Sequence, residues 1–335
     1  MRAWVLEKIG EGPVLKTIDT PTPTVKEALI RLEAAALNRR DVYIRDGQYP
    51  GVKTPVVLGS DGCGEVVQCP SEPSWEGKRV IICPSLDWGP REDWQGLDYH
   101  ILGLPTQGTL AEEIVVPREN LFPAPAHLKP SEAAALPLAH LTAWRAVVTR
   151  GQVQTNQSVL VTGLGGGVAL AALQIAAGHG ARVWGSSSCP EKIQRAIELG
   201  AEGGFLYTDE GWASQAAAAV SGGFDLIIDG AGGKGVGDLV RLLAPAGRLV
   251  FYGGTRGKWP AILPQYLFFK QVSLLASTMG SPREFGDLVR WVDEQNVIPA
   301  IDRTFSFNDV DQAFQRLQSG AQTGKVVVQI AGDSI

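Results

Sequence analysis

The sequence predicts an α/β protein in which a doubly wound parallel sheet domain is joined to a second, mostly β domain. Three observations lead to this prediction. The length of 335 residues exceeds what one hydrophobic core usually fills. From about residue 126, short apolar segments alternate with helix-like segments, which is typical of parallel strands covered on both faces. Before that point, apolar and polar residues alternate with a period of two, as in half-buried antiparallel strands.

The first 125 residues contain several short strand patterns separated by Pro- and Gly-rich connections. The clearest is KEALIRLEAAALN (26–38), and KRVIIC (78–83) and LAEEIVVP (110–117) follow it. This pattern favours a small antiparallel barrel or sandwich. Two helices and the closing strand GKVVVQI (324–330) are expected to return to it, which gives one domain of residues 1–125 and 282–335.

Residues 126–281 are predicted to form the parallel-sheet domain. It follows a proline-rich linker and a helix whose predicted N-cap is Ser131. The candidate strands are SVLVTG (158–163), ARVWGSS (181–187), GGFLY (203–207), FDLIIDG (224–230), GRLVFYGG (247–254) and VSLLASTM (272–279).

Composition excludes several classes of function. The net charge is −5 and the chain has no dense Lys/Arg patch, which argues against a nucleic-acid partner. The four cysteines form no CxxC pair, so neither a disulfide framework nor a zinc knuckle is expected. No apolar run is long enough to cross a membrane, and the N-terminus alternates like a strand rather than a signal peptide. We therefore expect a cytoplasmic protein with no membrane partner.

A glycine-rich turn joins the first strand of the parallel sheet to the helix after it. Gly163, Gly165, Gly166 and Gly167 precede Val168 at this position. Glycine lets the backbone approach a pyrophosphate, and a helix N-terminus offers unpaired N–H groups. Because a strand, the turn, a helix and a second strand occur in order, we predict dinucleotide binding rather than an ordinary tight turn.

The end of the second strand indicates which dinucleotide is bound. An acidic residue there would bind the ribose 2′-hydroxyl of NAD. This chain instead has Ser186, Ser187 and Ser188, with Lys192 shortly after them. Hydroxyls and a cation suit a 2′-phosphate, so NADPH is the predicted cofactor. A serine-rich loop beside a solvated lysine is the alternative.

The order of these parts resembles the medium-chain dehydrogenase/reductase superfamily, in particular its zinc-independent quinone oxidoreductase branch, which includes zeta-crystallin-like proteins. The resemblance rests on the glycine turn and on motifs at 36–50 (ALNRRDVYIRDGQYP), 56–67 (VVLGSDGCGEVV), 108–117, 133–144, 247–254 and 277–281. It implies a GroES-like catalytic domain, a Rossmann domain and a homodimer.

The sequence departs from the zinc enzymes of that superfamily at their metal ligands. The positions that match a cysteine, a histidine and a further cysteine or aspartate hold Asn38, Ser60 and Leu138. An amide, a hydroxyl and an alkyl group do not make a tight zinc site. We therefore predict no metal. Asp61 matches a glutamate beside the histidine ligand of those enzymes, which leaves a supporting role open.

Without a metal, hydride transfer to an acceptor that is already electrophilic is the favoured chemistry. The resemblance implies a quinone, an enone or an aldehyde as substrate, with Asn38, Tyr43 and Tyr49 as catalytic residues. Either tyrosine is alternatively a half-buried packing residue. The further cofactor residues that it implies are Thr142, Tyr207, Gly253, Gly254, Ser277, Thr278, Met279 and Lys325.

Two other functions stay open at this stage. One is an alcohol dehydrogenase with an atypical zinc site. The other is a nucleotide-binding protein with little turnover that acts as a structural or regulatory partner, since a fold alone does not fix a function.

Overall fold

The structure, a computed structural model, describes residues 1–331. The chain forms two compact units, one from Met1–Ala139 together with the residues from Ser281 onward, and one from His140–Gly280. The strands are β1 (Arg2–Leu6), β2 (Val14–Thr17), β3 (Glu27–Leu37), β4 (Val56–Val57), β5 (Asp61–Gln68), β6 (Arg79–Ile82), β7 (Ser85–Leu86), β8 (His100–Ile101), β9 (Glu113–Pro117), β10 (Leu121–Pro123), β11 (Ser158–Thr162), β12 (Arg182–Ser187), β13 (Gly203–Leu206), β14 (Phe224–Asp229), β15 (Leu243–Phe251), β16 (Ser273–Ala276), β17 (Ile301–Ser306) and β18 (Lys325–Gln329).

The helices differ widely in length. They are α1 (Arg39–Arg45), α2 (Pro130–Ala134), α3 (Pro137–Trp144), α4 (Gly167–Gly178), α5 (Pro190–Glu198), α6 (Trp212–Ala219), α7 (Val236–Leu242), α8 (Gln265–Phe268), α9 (Pro282–Glu294) and α10 (Val310–Gln318). Among the described residues, no helix combines the length and the apolar character needed to span a membrane.

The first unit is built around β3, the strand predicted from the alternating segment 26–38. The strand order of its main sheet is β10-β6-β5-β3-β18-β17, and β9 also pairs with β3. Beyond Glu33 the residues of β3 are buried on both faces, so the period of two holds only in its first half. The predicted closing strand is β18, and it pairs with β3 in an antiparallel register.

The second unit contains a fully parallel sheet with the strand order β13-β12-β11-β14-β15-β16. The chain starts at the centre with β11, runs outward to β13, and returns to β14 on the other side. The order reverses between β11 and β14, and ligands of doubly wound sheets bind at this point. Every predicted strand of the parallel sheet is present, and the predicted α/β fold class is confirmed.

The first boundary between the units lies later than the proline-rich linker predicted. Residues 126–139 belong to the first unit, because α2 packs against β3 and β5. The prediction that Ser131 caps this helix is wrong. The helix begins at Pro130, and the Glu132 carboxylate closes its first turn by accepting a 2.8 Å hydrogen bond from the Lys129 N–H.

Candidate functional site

The glycine turn lies where β11 ends and α4 begins. Gly163 and Gly165 have φ values of +71° and +133°, a region that favours glycine. A Cβ atom on Gly163 would meet no atom within 4 Å, so its backbone borders open space. Gly166 precedes the 12-residue helix α4, and Gly167 and Val168 form its first turn, where N–H groups lack partners inside the helix. These features fit a pyrophosphate held by the turn.

The serines at the end of β12 lie beside this turn. The Leu164 N–H donates to the Ser186 carbonyl at 2.9 Å, and the Ser187 hydroxyl donates to the Leu164 carbonyl at 3.3 Å. Ser186 and Ser187 are buried, whereas Ser188 is exposed. Ser188 is therefore the serine whose hydroxyl is most accessible to a ligand.

Lys192, on α5, lies directly over the glycine turn. A Cβ atom on Gly165 would be 2.8 Å from its Cδ and 3.0 Å from its Nζ. The φ value of +133° is what requires glycine at position 165, because the end of the lysine side chain is flexible and can move away from a Cβ atom. The ammonium group of Lys192 supplies positive charge where phosphate groups of a dinucleotide are expected.

Tyr207 follows β13 and lies next to the serines. Its N–H donates to the Ser187 carbonyl at 3.0 Å, and the guanidinium carbon of Arg256 lies 5.0 Å from the centre of its ring. The sequence reasoning did not single out Arg256. Its place in the glycine-rich segment GGTRGKW after β15, at the carboxyl edge of a parallel sheet, was the signal that could have revealed it.

The ends of β15 and β16 contain the other predicted cofactor residues. Gly253 is needed for packing, because a Cβ atom there would be 2.7 Å from the Gly230 carbonyl oxygen, whereas Gly254 borders open space. The Oγ of Ser277 is buried and bonds to no other described residue. The Thr142 hydroxyl contacts the Met279 sulfur at 3.5 Å. Met279 is buried and has a φ of +42°. Thr278, which lies between Ser277 and Met279 in the sequence, is exposed.

Asn38, Asp61 and Lys325 form a buried polar cluster in the first unit. The Lys325 ammonium donates to the Leu37 carbonyl at 2.9 Å and, at 2.7 Å each, to Asn38 Oδ1 and Asp61 Oδ2. Asp61 Oδ2 also accepts from Asn38 Nδ2 at 2.8 Å, and Asp61 Oδ1 accepts from the Leu138 N–H at 2.8 Å. Both charged side chains are almost completely buried.

These bonds limit what the members of the cluster can offer a ligand. An ammonium has three N–H donors, and all three of Lys325 are used, so while they are made it has none for a cofactor. The role of Lys325 at the cofactor stays a prediction. Asn38 keeps one unused N–H on its amide, because Nδ2 carries two and one binds Asp61.

Arg40 lies close to this cluster, one turn before Tyr43 on α1, and was not among the predicted residues. Its Nη1 donates to Ser60 Oγ at 2.6 Å and to the Leu102 carbonyl at 2.8 Å. Its guanidinium carbon lies 5.1 Å from the centre of the Tyr49 ring. The structure thus brings Tyr49 and Ser60 together through an arginine.

Tyr43 and Tyr49 are both half-buried, and neither hydroxyl bonds to another residue within 1–331. Asp41, between Arg40 and Tyr43 in the sequence, is fully buried. Burial raises the pKa of its carboxyl, and the Arg40 charge opposes that rise. Its oxygens accept from the N–H groups of Asn38 at 2.7 Å and Gly59 at 3.3 Å, which holds the start of α1 against the segment before β5.

The three positions that match zinc ligands are engaged with protein groups. Asn38 and the Leu138 backbone bond to Asp61, and Ser60 bonds to Arg40 and the Leu102 carbonyl. Among residues 1–331, no three His, Cys, Asp or Glu side chains form a group that could hold a metal ion.

A cavity of about 750 Å³ lies in the first unit, and its lining does not include these residues. The segment 85–98 and residues 281–283 contribute to its lining. Two lining residues bond to each other, since the Ser281 hydroxyl donates to the Glu92 carboxylate at 2.7 Å. None of the predicted catalytic or cofactor residues borders it.

Two family models match the chain. Residues 24–126 match the alcohol dehydrogenase GroES-like domain, and residues 167–294 match the zinc-binding dehydrogenase domain. The zinc-type alcohol dehydrogenase-like protein YogA of Leptosphaeria maculans is 36% identical, with 94% of each chain covered.

Solved structures agree with these matches. A crystal structure of an NAD-dependent alcohol dehydrogenase is similar at 34% identity with a TM-score of 0.93, covering 99% of this chain and 100% of that one. The quinone oxidoreductase of Thermus thermophilus, solved also with NADPH, is similar at 30% identity with a TM-score of 0.81, covering 98% and 100%. The two family models match the GroES-like first unit and the Rossmann sheet of the second unit. This chain therefore belongs to the medium-chain dehydrogenase/reductase superfamily, as an oxidoreductase of its quinone oxidoreductase-like branch.

Proposed function

We propose that this oxidoreductase uses NADPH to transfer hydride to a quinone or an α,β-unsaturated carbonyl compound without a metal. The observation that carries the cofactor assignment is the position of Lys192 over Gly165, beside serines where an NAD site would have an acidic residue. Tyr207 and Arg256 lie next to these serines, because the Tyr207 N–H bonds to the Ser187 carbonyl and the Arg256 guanidinium lies over the Tyr207 ring. This surface is suited to a 2′-phosphate because it combines hydroxyl groups with two cations.

The residues of the second unit fit such a cofactor. The turn at Gly163 and Gly165 would hold its pyrophosphate, and Ser188, Lys192 and Tyr207 its 2′-phosphate. The buried, unbonded hydroxyl of Ser277 is a polar group that a bound ligand would satisfy. Thr142, Thr278 and Met279 would contact the nicotinamide, which supplies the hydride.

The first unit would bind the acceptor. The Tyr43 hydroxyl has no protein partner among the described residues, and Asn38 keeps one N–H, so both can donate to an acceptor oxygen. Such donors stabilise the charge that develops in the transition state, and each contributes roughly 10²–10³-fold to rate. Tyr49 is less free, because its ring lies against Arg40.

A screen for turnover tests the proposal. NADPH oxidation should be observed with quinones or enones, and NADPH should bind more tightly than NADH. Tyr43→Phe should lower kcat by roughly 10²-fold while NADPH affinity stays unchanged, because only the hydroxyl is lost. Equal rates for Tyr43→Phe and the wild type would exclude Tyr43 as the donor. Equal affinities for the two cofactors would exclude the 2′-phosphate site.

Metal independence is tested on the same protein. Prolonged chelation should leave both activity and melting temperature unchanged, because Asn38, Ser60 and Leu138 do not provide the ligands that zinc prefers. Stoichiometric zinc whose removal abolishes activity would overturn this part of the proposal.

An NAD-dependent alcohol dehydrogenase is the second candidate, favoured by the similarity to a solved structure of that title. Alcohol oxidation with NAD, accompanied by bound zinc, would support it. No turnover in either assay would favour a nucleotide-binding regulatory protein. The cytoplasmic location, the absence of nucleic-acid and membrane partners, and an aldehyde as a further substrate stay predictions.

We further propose a homodimer formed through the second unit. β16 is the edge strand of the parallel sheet, and exposed edge strands are prone to pair with another chain. The segment before it exposes Leu263, Phe268 and Phe269, the last at 79%. Sedimentation of the wild type should give a dimer, and Phe269→Asp should shift it toward monomer. A monomeric wild type would refute the proposal.

A further inference from the structure

Arg40 is a buried cation whose hydrogen-bond partners are all neutral. It is 8% exposed, and its guanidinium bonds to the Ser60 hydroxyl, to the Leu102 carbonyl and, at 3.5 Å, to the Ile101 carbonyl. Within residues 1–331 it forms no ion pair. Its charge therefore has no direct carboxylate partner, although Asp41 lies close enough to act on it at longer range.

The guanidinium also keeps donors that the protein does not use. It has five N–H groups in a fixed fork. Nη1 uses both of its own in short bonds, whereas Nη2 has one long contact and the buried Nε has no partner. A buried charge with unpaired donors is costly unless something else offsets it. Because Nε is fully buried, Nη2 is the nitrogen that remains for a ligand, and an anionic or strongly polarised oxygen is the group that it would bind best.

The position of Arg40 indicates which ligand that is. It lies on α1 three residues before Tyr43, and side chains at that spacing share a face of a helix. Its guanidinium lies over the ring of Tyr49, and it is held by Ser60, at a position where zinc enzymes of the superfamily have a ligand. A fixed positive charge thus stands among the residues predicted to contact the acceptor.

We propose that Arg40 binds the acceptor oxygen on which negative charge develops, and so provides the electrophilic group that a metal provides in the zinc enzymes. This inference rests on the proposed function. When hydride adds to the β-carbon of an enone, a C–H bond forms there while the C–H bond of the dihydronicotinamide that supplies the hydride breaks. The C=C electron pair shifts toward the carbonyl carbon, and the C=O pair gives an oxyanion at the carbonyl oxygen. NADPH is oxidised and the enone reduced. A proton, ultimately from water, then completes the saturated product. The Arg40 fork would stabilise that oxyanion.

A purely structural role is the alternative, in which Arg40 only braces α1 against residues 101–102. The two roles differ in their effect on a bound oxyanion. A brace can be replaced at a cost in stability alone, whereas an electrophilic group lowers the pKa of any phenol bound against it. The probe is therefore 4-nitrophenol, whose absorbance reports its ionisation and which needs neither cofactor nor turnover.

The test is a spectrophotometric pH titration of 4-nitrophenol bound to the wild type, Arg40→Met, Arg40→Lys and Arg45→Met. Arg45 is the matched control, because it lies on the same helix but pairs with Asp46 and lies over Phe314. The phenol should be at least about tenfold more acidic on the wild type and on Arg45→Met than in free solution. Arg40→Met should abolish this shift, and Arg40→Lys should retain part of it, because it keeps the charge but not the fork.

Each outcome decides the inference. Absence of probe binding by the wild type, or an equal shift in the wild type and both Arg40 variants, would overturn it. If Arg40→Met does not fold, a shift in Arg40→Lys at least about threefold smaller than in the wild type supports it, and an undiminished shift overturns it. Failure of the NADPH screen with the probe shift intact would refute the proposed function and leave the oxyanion site standing.

Discussion

Replacing Lys325 with methionine should destabilise the first unit far more than removing an exposed lysine. The Lys325–Asp61 pair is separated by 2.7 Å, and the two side chains are 4% and 0% exposed. Methionine fills most of the space but removes the ammonium, which leaves the Asp61 carboxylate buried. Removing one member of a buried pair typically costs about 3–5 kcal/mol. Asp61 keeps its bonds from Asn38 and the Leu138 N–H, so we expect the lower end, about 3 kcal/mol.

The matched control is Lys16→Met. Lys16 pairs with Glu7 at the same distance of 2.7 Å, but both side chains are 45% exposed. Because exposed ion pairs contribute little, this variant should unfold near the wild-type midpoint. The comparison holds the distance between charges constant and changes only the burial.

Urea denaturation followed by circular dichroism measures the difference. With a slope of roughly 3 kcal/mol per molar urea, a loss of about 3 kcal/mol moves the midpoint by about 1 M. Hydrogen exchange of peptides from β3 and β5 identifies the transition that belongs to the first unit. The double variant Lys325→Met/Asp61→Asn should recover part of the loss, because no unpaired charge remains.

One result would refute this reasoning. If Lys325→Met and Lys16→Met shift the midpoint equally, burial of the pair does not govern its contribution. The expectation of about 3 kcal/mol would then have no basis in the structure.

Two further predictions concern other parts of the chain. Arg256→Ala should weaken the binding of NADPH roughly tenfold and that of NADH hardly at all, because losing one charge-assisted contact costs about 1.4 kcal/mol. Nicotinamide fluorescence measures both affinities, and the control is Arg241→Ala, which removes an exposed arginine paired with Asp238. Equal losses of affinity for both cofactors in Arg256→Ala would contradict a role at the 2′-phosphate. Asp302→Asn should cost about 1 kcal/mol at pH 7, allowing for solvent screening. Burial raises the pKa of Asp302, but its bonds from Arg316 and the Thr323 N–H outweigh that effect and lower the pKa overall. The stabilisation is therefore present above about pH 4 and is lost as the pH falls through the folded-state pKa of Asp302. The melting temperatures of the wild type and Asp302→Asn should accordingly converge in acid. A difference between them that persists at about pH 2 would contradict the role given to the Asp302 carboxylate.

The parallel sheet could be predicted from the sequence because its signals are local. A strand buried on both faces is apolar throughout, and Gly163 and Gly165 indicate the turn after β11, the first strand of this sheet. The boundary near residue 139 could not be predicted in the same way, because it depends on which unit α2 packs against. The start of α2 was missed because the Glu132 carboxylate, rather than the Ser131 hydroxyl, closes its first turn.

The contacts within the polar cluster of the first unit could not be predicted from local sequence patterns. Lys325 is 264 residues from Asp61, and no local pattern connects them. Resemblance drew attention to Asn38 and Asp61, but it did not give the direction of the Lys325 side chain. Arg40 was missed because it stands between Asn38 and Tyr43 in a charged run that is typical of a solvated helix face, whereas the structure buries it.

The pairing of β18 with β3 has a consequence for synthesis of the chain on the ribosome. Lys325, at the start of β18, comes 288 residues after Leu37, at the end of β3. At about 5–20 residues per second, translation of that interval takes about 15–60 s. The second unit comes from one continuous stretch and can fold during that time. The edge of β3 that pairs with β18 stays unpaired until β18 has been synthesised. Cells that make this protein should therefore rely on chaperones that bind nascent chains, and a slower ribosome should lengthen the period in which that edge can aggregate.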